Sequence, residues 1–159
     1  MDWKITEIPA EHPDATAILR EYMDELASRY YGRPATPAEV DEALGDEPSA
    51  GLAAPTGAFL MAHRDGKPAG CVGVRLVEPG LSVLTKVYVR PEHRGHGGGK
   101  LIVAAAEEAA KRLGASRMRL DTRDDLVEAR ALYASMGYAE VEAFNDDRYA
   151  EHWFSKDLS

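Results

Sequence analysis

The chain contains one cysteine, Cys71, so it cannot form an internal disulfide, which fits a reducing compartment. It also lacks any apolar run close to the ~18–20 residues that a membrane-spanning helix needs. Its first residues, Met1 to Lys4, have neither the basic nor the apolar region of a signal peptide. These absences predict a cytoplasmic protein without a membrane partner.

Positive charge is also scarce. Nineteen Lys and Arg residues stand against 27 Asp and Glu residues, which gives a formal net charge of −8. A general binder of nucleic acid or of an anionic membrane needs a basic face, so we expect neither class of partner. The five histidines are scattered without the spacing of metal ligands, and we predict no metal site.

The composition is typical of a globular protein, with 45% hydrophobic and 29% charged residues in a chain of 159. This length predicts a single domain over residues 1–159. The charge is uneven along the chain: residues 1–50 and 124–159 have net charges of −8 and −6, whereas residues 86–123 have a net charge of +5. We therefore expect an anionic ligand near the basic segment.

Hydrophobic periodicity and turn residues predict an α+β domain with elements in the order β-α-α-β-β-β-α-β-α-β-β. A first helix covers about residues 13–30. A capping box at Thr36 begins a second helix, which should stop at Gly45. Asp65-Gly66 predicts a hairpin turn between two strands.

The middle of the chain predicts a strand that leads into a helix. From Leu81 to Arg90 the side chains alternate, which places Leu84, Lys86 and Tyr88 on one face. The helix runs from about Gly98 to Leu113, and the spacing of four between Glu107 and Lys111 predicts an ion pair on its exposed face.

A glycine-rich loop, Arg94-Gly95-His96-Gly97-Gly98-Gly99-Lys100, joins that strand to that helix. Glycines permit positive φ and close approach of a ligand, and the free N–H groups of a helix start attract anions. It is not a Walker A loop, because Leu101 follows Lys100 where Ser or Thr is required, nor a dinucleotide fingerprint, because Lys100 replaces the third glycine. A flexible connection without a ligand is the alternative; the flanking basic residues favour anion binding.

The spacing Arg94-x-x-Gly97-x-Gly99 resembles the acetyl-CoA signature of the GNAT superfamily of N-acetyltransferases. Residues 129–138, with Ala-x-x-Leu-Tyr followed by Met-Gly-Tyr, resemble the second signature of that family. Two positions depart from it. Gly98 stands where an aliphatic residue is usual, which should loosen the start of the helix. Leu126 stands where an asparagine is frequent, so a cofactor contact from that side chain is missing.

The resemblance implies a mixed central sheet of about six or seven strands with about four helices, whose splayed central strands form an acetyl-CoA cleft. It implies that backbone groups of residues 87 and 89 hold the pantetheine arm, that an N–H near residue 87 polarises the thioester, and that loop amides wrap the pyrophosphate. The implied cofactor-binding residues are Val87, Val89, Arg94, Gly95, His96, Gly97, Gly98, Gly99 and Lys100.

The implied activity is transfer of an acetyl group from acetyl-CoA to an amine, by direct attack in a ternary complex. The acceptor would be a small amine, an amino acid or a peptide amino group. Tyr133 matches the family's general acid, although a tyrosine at this helical spacing also commonly fills a core. The base is unknown; Asp121, at a strand end beside the expected cleft, is a candidate, but it could equally begin the next helix cap.

Two questions stay open at this point. The acidic segments at both ends of the chain would favour a cationic amine over an anionic acceptor, although acidic helix faces are usually just solvated. A non-catalytic acyl-CoA-binding or sensor module on the same fold is the alternative to an enzyme, and release of free CoA thiol distinguishes the two. A homodimer is also compatible with the sequence.

Overall fold

A computed structural model of the chain describes residues 2–46, 51–124, 126–147 and 150–158. Within these ranges it has seven strands and four α-helices, in the predicted order. The strands are β1 (Trp3–Glu7), β2 (Gly57–Arg64), β3 (Lys67–Glu78), β4 (Leu81–Val89), β5 (Arg117–Thr122), β6 (Ala139–Val141) and β7 (His152–Asp157). The helices are α1 (Pro13–Tyr31), α2 (Pro37–Asp46), α3 (Gly98–Arg112) and α4 (Val127–Ser135), with a 3-10 turn at Pro91–His93.

The strands form one mixed sheet in the order β1-β2-β3-β4-β5-β7-β6. β4 and β5 run parallel, and the other neighbouring strands of the described sheet run antiparallel. The predicted α+β class, with a mixed sheet of six or seven strands and four helices, is confirmed. α3 connects the two parallel strands, as a parallel pair requires a crossover.

Helices cover both faces of the sheet. On one face α3 packs Ile102, Val103 and Ala106 against alternate residues of the central strands. On the other face α1 packs Ile18 and Leu19 against the residues that point the opposite way. The two sets of strand residues are Val72, Val74, Leu84, Met118 and Leu120 on the α3 face, and Phe59, Met61, Cys71 and Tyr88 on the α1 face.

Local turn and cap chemistry explains the element ends. The capping box is confirmed: Thr36 N–H donates to Glu39 Oε1 at 2.8 Å, and Glu39 N–H donates to Thr36 Oγ1 at 3.2 Å. The hairpin turn is confirmed as well, with positive φ at both Asp65 and Gly66. The expected stop at Gly45 is wrong, because α2 continues through that residue to Asp46.

The regular alternation predicted for β4 is wrong, because the strand contains a bulge. Lys86 has a φ of 58°, and the pairing with β3 shifts between Cys71–Tyr88 and Gly73–Thr85. The extra residue reverses the faces beyond it. Leu84 therefore packs towards α3, whereas Tyr88 packs towards α1. The Cys71 thiol donates to the Lys86 carbonyl oxygen at 3.4 Å, beside the bulge.

β4 and β5 are paired over only three residues each and then separate. Their pairing covers Leu81–Val83 and Arg117–Arg119, after which β4 stays with β3 and β5 continues beside β7. The predicted splay of two central strands is thus present. Because one strand edge of each is left open, the gap exposes backbone groups that a ligand can bind.

Candidate functional site

The gap between β4 and β5 opens into a cleft of about 1020 Å³. Seven of the nine residues predicted to bind the cofactor line it, whereas the side chains of His96 and Lys100 are exposed outside it. The seven are Val87, Val89, Arg94, Gly95, Gly97, Gly98 and Gly99. The candidate acid Tyr133 and the candidate base Asp121 line the same cleft.

The glycine-rich loop turns sharply into α3. Gly95 and Gly97 both have a φ of 81°, a conformation that residues with a Cβ rarely adopt. Gly97 is the N-cap of α3, and no described side chain caps it. The first N–H groups of this 15-residue helix are therefore available at the positive end of its dipole. A Cβ at Gly95 or Gly97 would meet nothing within 4 Å, so the space beside the loop is open.

Gly98 does not loosen the helix start, contrary to expectation. A Cβ built on Gly98 would overlap the indole ring of Trp3, which fills the space where an aliphatic side chain would lie. Trp3 Nε1 donates to the carbonyl oxygen of His96 at 3.1 Å, so the first strand holds the loop from outside. Gly98 is itself buried in the structure.

Two ion pairs tie α1 to the segment before the loop. Arg94 Nη2 donates to Glu25 Oε1 at 2.7 Å, and Arg90 Nε donates to Glu21 Oε1 at 2.9 Å. Arg94 Nε also donates to the Val89 carbonyl oxygen at 2.8 Å. The side chain of Arg94 thus braces the loop against α1 and the end of β4.

The backbone of β4 presents hydrogen-bonding groups to the gap. Arg90 N–H donates to the Ala69 carbonyl oxygen beside β3 at 2.7 Å. Because alternate residues of a strand direct their N–H and C=O groups to opposite sides, those of Val87 and Val89 face away from β3, towards the gap. The Val89 carbonyl oxygen already accepts from Arg94 Nε on this side. This edge can pair with an extended ligand as a further strand would.

Tyr133 lies on α4 with 5% of its surface exposed, packed edge-on against Tyr138 and tilted against Phe154. No hydrogen bond joins its hydroxyl to any described residue. Burial raises the pKa of Tyr133 far above its usual range, and the charge of Asp121 adds to the rise. The hydroxyl therefore keeps its proton at neutral pH.

Asp121 lies on β5 at the register position of Trp153 on β7. Asn145 joins the two side chains: its Nδ2 donates to Asp121 Oδ2 at 2.9 Å, and its Oδ1 accepts from Trp153 Nε1 at 3.0 Å. Burial raises the pKa of Asp121, the bond from Asn145 opposes the rise, and the charge of Asp147 adds to it. A carboxylate with a raised pKa is a better proton acceptor than an exposed one.

Comparisons with known proteins agree with this geometry. The family model described as the acetyltransferase (GNAT) family matches residues 20–138, which is more than half of the chain. The chain belongs to the GNAT acetyltransferase family. It is accordingly an acyltransferase, and the resemblance inferred from its two signatures is confirmed.

The relatives support this assignment over nearly the whole length of the acetyltransferase. An uncharacterized N-acetyltransferase of Schizosaccharomyces pombe is 34% identical over 140 residues, which cover 87% of this chain and 82% of the relative. A GNAT-family acetyltransferase from Staphylococcus aureus has the same fold, with a TM-score of 0.79, 16% identity, and coverage of 99% and 100% of the two chains. The PaiA N-acetyltransferase of Thermoplasma acidophilum, solved in complex with coenzyme A, has a TM-score of 0.73 at 19% identity, with 99% of each chain covered.

His152 of the acetyltransferase lies outside the cleft lining, in a polar bridge. Its Nδ1 is 2.7 Å from Glu140 Oε2 and its Nε2 is 2.8 Å from Asp124 Oδ1. The hydrogen bonds to the two carboxylates raise the pKa of His152, and the histidine in turn lowers the pKa of Asp124. The bridge joins β6, β7 and the loop after β5.

Several features of the cleft were not predicted from the sequence. Asn145 lies in the tail after β6, and its contact with Asp121 spans 24 residues, so no local pattern indicates it. Arg75 and Arg119 line the cleft from β3 and β5.

In the described parts of the chain, no helix is long and apolar enough to cross a membrane, and no group of three His, Cys, Asp or Glu is placed to hold a metal.

Proposed function

We propose that this acetyltransferase, a single domain over residues 1–159, transfers the acetyl group from acetyl-CoA directly to an amine held in the same cleft. The amine belongs to a small molecule, an amino acid or a peptide. The observation that carries the proposal is the placement of Tyr133 and Asp121 on one cleft, at the gap where β4 and β5 part. One group is a proton donor and the other a proton acceptor, as the chemistry below requires.

The residues present fit a nucleotide thioester as the second substrate. The uncapped start of α3 and the positive-φ glycines at positions 95 and 97 form a cradle of backbone N–H groups with open space beside it. We assign the pyrophosphate to the amides of residues 94–100 and the pantetheine arm to the gap-facing backbone of Val87 and Val89. His96 and Lys100 contribute through their backbone, since their side chains lie outside the cleft lining.

The acceptor must lose a proton before or during attack, because an alkylamine with a pKa near ~10 is almost wholly protonated at neutral pH. Asp121 takes that proton. The nitrogen lone pair then attacks the thioester carbon, the C–N bond forms, and the C–S bond breaks with its electron pair moving to sulfur. The nitrogen loses its second proton as the amide forms, and this proton replaces the one that Tyr133 gives to sulfur. The proton taken by Asp121 passes to solvent. The N–H of Val87 stabilises the carbonyl oxygen as charge develops on it.

Tyr133 completes the reaction by donating its hydroxyl proton to the departing sulfur. A free alkyl thiol has a pKa near ~8.5, so the thiolate accepts a proton from a positioned donor. The raised pKa of Tyr133 means that the hydroxyl carries its proton when the thiolate forms. Products are the acetylated amine and free CoA, and no side chain becomes acetylated.

The test is acetyl-CoA-dependent release of free thiol in the presence of a panel of amines. We expect thiol release that depends on both substrates, together with a rise in melting temperature with acetyl-CoA alone. A rise in melting temperature without thiol release for any amine would instead favour the non-catalytic acyl-CoA-binding module. Thiol release through an acetylated enzyme, detected by mass spectrometry without acceptor, would contradict direct attack.

A further inference from the structure

The acceptor side of the cleft is rich in arginine. Four arginines line it: Arg29 at the end of α1, Arg75 on β3, Arg119 on β5 and Arg123 directly after β5. The chain as a whole has a net charge of −8, so such a concentration is not a general property of its surface. The cleft lining as a whole has six Lys and Arg residues against five Asp and Glu residues, so it lacks the acidic excess of the chain.

Five arginines elsewhere in the chain are closely matched with carboxylates. Ion pairs shorter than 3 Å join Arg20 to Asp41, Arg33 to Glu39, Arg90 to Glu21, Arg94 to Glu25 and Arg117 to Asp157. By contrast, no carboxylate of the described chain pairs with Arg75 or Arg119. Because both arginines also line the cleft, their guanidinium groups are placed to bind a ligand rather than to form a structural ion pair.

The strand register brings these two arginines onto one face. Arg75 pairs with Val83 of β4, and Val83 pairs with Arg119 of β5. Residues directly opposite in neighbouring strands point to the same side, and two strand spacings place the two Cα atoms about 10 Å apart. Guanidinium groups on side chains of this length can both reach one anion between them.

Arg119 is held in place by an aromatic ring. Its guanidinium carbon lies 5.0 Å from the centroid of Phe144, and the residue is half-buried. Stacking on a ring leaves the edge of the guanidinium, with its N–H donors, free for a planar anion. Phe144 lies one residue before Asn145, which binds the candidate base Asp121.

The anion cannot be the phosphate of the nucleotide substrate. Val83 and Val89 lie at opposite ends of β4, and six residues of strand span about 20 Å. The phosphate cradle begins beyond Val89, whereas the Arg75–Arg119 pair lies at the level of Val83. Asp121, in contrast, is two residues from Arg119 on the same face of β5, a Cα separation of about 6.6 Å.

We infer that the acceptor is an amine that also carries a carboxylate or a similar small anion, which Arg75 and Arg119 bind while the amine meets Asp121. This rests on the proposed function and specifies its substrate class: an amino acid whose amine and carboxylate are a few bonds apart. The acidic ends of the chain favoured a cationic amine over an anionic acceptor, and this inference reverses that expectation. Four of those acidic residues also line the cleft, namely Glu25, Asp46, Glu128 and Asp147. Others are exposed outside its lining, as with Glu7, Asp14 and Asp24.

The experiment compares matched acceptors that differ in one charge. Glycine, β-alanine and γ-aminobutyrate are each assayed beside the corresponding amide by acetyl-CoA-dependent thiol release. We expect at least one amino carboxylate to exceed its amide in kcat/KM by about tenfold or more, as loss of a charge-assisted hydrogen bond predicts. Equal rates for carboxylate and amide throughout the panel would overturn the inference while leaving the proposed function intact.

Substitutions of the two arginines test whether they cause the preference for a carboxylate over its amide. Arg119→Gln and Arg75→Gln should each lower kcat/KM for the preferred carboxylate about tenfold and leave its amide unchanged. Arg117→Gln is the matched control, since Arg117 is on the same strand, is paired with Asp157 and does not line the cleft. A loss with Arg117→Gln equal to that with Arg119→Gln would contradict the assignment.

A binding measurement separates this inference from catalysis. Calorimetric titration of the same acceptors into the CoA-saturated protein should show binding of the amino carboxylate that Arg119→Gln weakens. If thiol release fails for every amine but this binding is present, the proposed reaction fails and the anion site stands. If none of the carboxylates binds, or the amides bind equally well, the anion site is refuted.

Discussion

The indole ring of Trp3 occupies the space in which a side chain at Gly98 would begin, and its Nε1 donates to the His96 carbonyl oxygen. The N-terminal strand therefore holds the start of α3 across 95 residues of sequence. The absence of a side chain at position 98 leaves the space that the ring of Trp3 fills. The two residues form one unit of packing.

Gly98→Ala should destabilise the fold by about 1–3 kcal/mol, because the added Cβ must displace the ring. The loop shifts with it, so affinity for CoA should fall as well. Chemical denaturation and CoA titration measure the two effects.

Gly45→Ala is the control. Gly45 is exposed in α2, and a Cβ there would meet no other atom within 4 Å, so the substitution should stabilise the fold by about 0.5–1 kcal/mol. In a Trp3→Ala background Gly98→Ala should cost much less, and equal costs in both backgrounds would contradict direct contact.

Tyr133→Phe should lower kcat by about 10²-fold and leave the Kd for acetyl-CoA and the melting temperature nearly unchanged. The hydroxyl makes no hydrogen bond with the described residues, so its removal leaves no buried partner unsatisfied. Stopped-flow or steady-state thiol release measures kcat. An equal loss of cofactor affinity would indicate a packing role instead.

Tyr138→Phe provides the matched control for that substitution. The Tyr138 hydroxyl donates to Glu107 Oε2 at 2.8 Å, and Lys156 Nζ donates to the same carboxylate at 3.0 Å. Removing the hydroxyl should cost about 1–3 kcal/mol of unfolding free energy and leave kcat close to that of the wild type. A large loss of kcat with no loss of stability would argue against the separate roles of the two tyrosines.

The rate should fall at low pH through protonation of Asp121. Because burial raises its pKa, the midpoint of the acid limb of kcat should lie above 3.8, the ordinary value for an aspartate. Asp121→Asn keeps the acceptor atom for Asn145 but cannot take a proton, so it should remove this limb and lower kcat. An unchanged acid limb in Asp121→Asn would assign the base to another group.

The His152 bridge predicts a pH dependence of stability. A histidine with a raised pKa in the folded state contributes stability that is fully present below the unfolded value near ~6.5 and is lost as pH rises through the folded pKa. Asp124, with a lowered pKa, contributes above its unfolded value and loses this as pH falls through the folded pKa. The bridge therefore contributes most to stability between the unfolded-state pKa of Asp124 and the unfolded-state pKa of His152.

Melting temperatures of the wild type and of His152→Gln, measured from pH 5 to pH 9, test this. The difference between the two proteins should be largest on the acid side of that interval and shrink towards pH 9. His63→Gln is the control, because His63 forms no ion pair within the described chain. A difference that grows as pH rises would have the wrong sign.

The order of elements was predictable because it depends on local chemistry. Apolar residues at a spacing of three and four define α1, and the capping box at Thr36 and the turn at Asp65 fix neighbouring ends. The glycine-rich loop likewise carries its geometry in its own residues. The two signatures carried the family resemblance, and that resemblance in turn implied the mixed sheet, its splayed central strands and the cleft.

What the sequence did not reveal depends on contacts between distant segments. The bulge at Lys86 is invisible in a strand whose letters alternate without interruption, yet it reverses the face of Tyr88. Glu107 was expected to pair with Lys111 on an exposed helix face, but it is buried and binds Lys156 and Tyr138, which are both distant from it in the sequence. Likewise, the charge of a segment does not determine which of its side chains line a cleft.

The ion pair between Arg94 and Glu25 has a consequence for the influence of ionic strength. Together with the pair between Arg90 and Glu21 it cancels much of the positive charge beside the glycine-rich loop. The cradle then depends on the backbone N–H groups at the start of α3 rather than on free cations. Added salt should therefore weaken CoA binding much less than it weakens phosphate sites built from unpaired lysine and arginine. Cofactor capture by this enzyme should stay nearly constant as salt concentration changes.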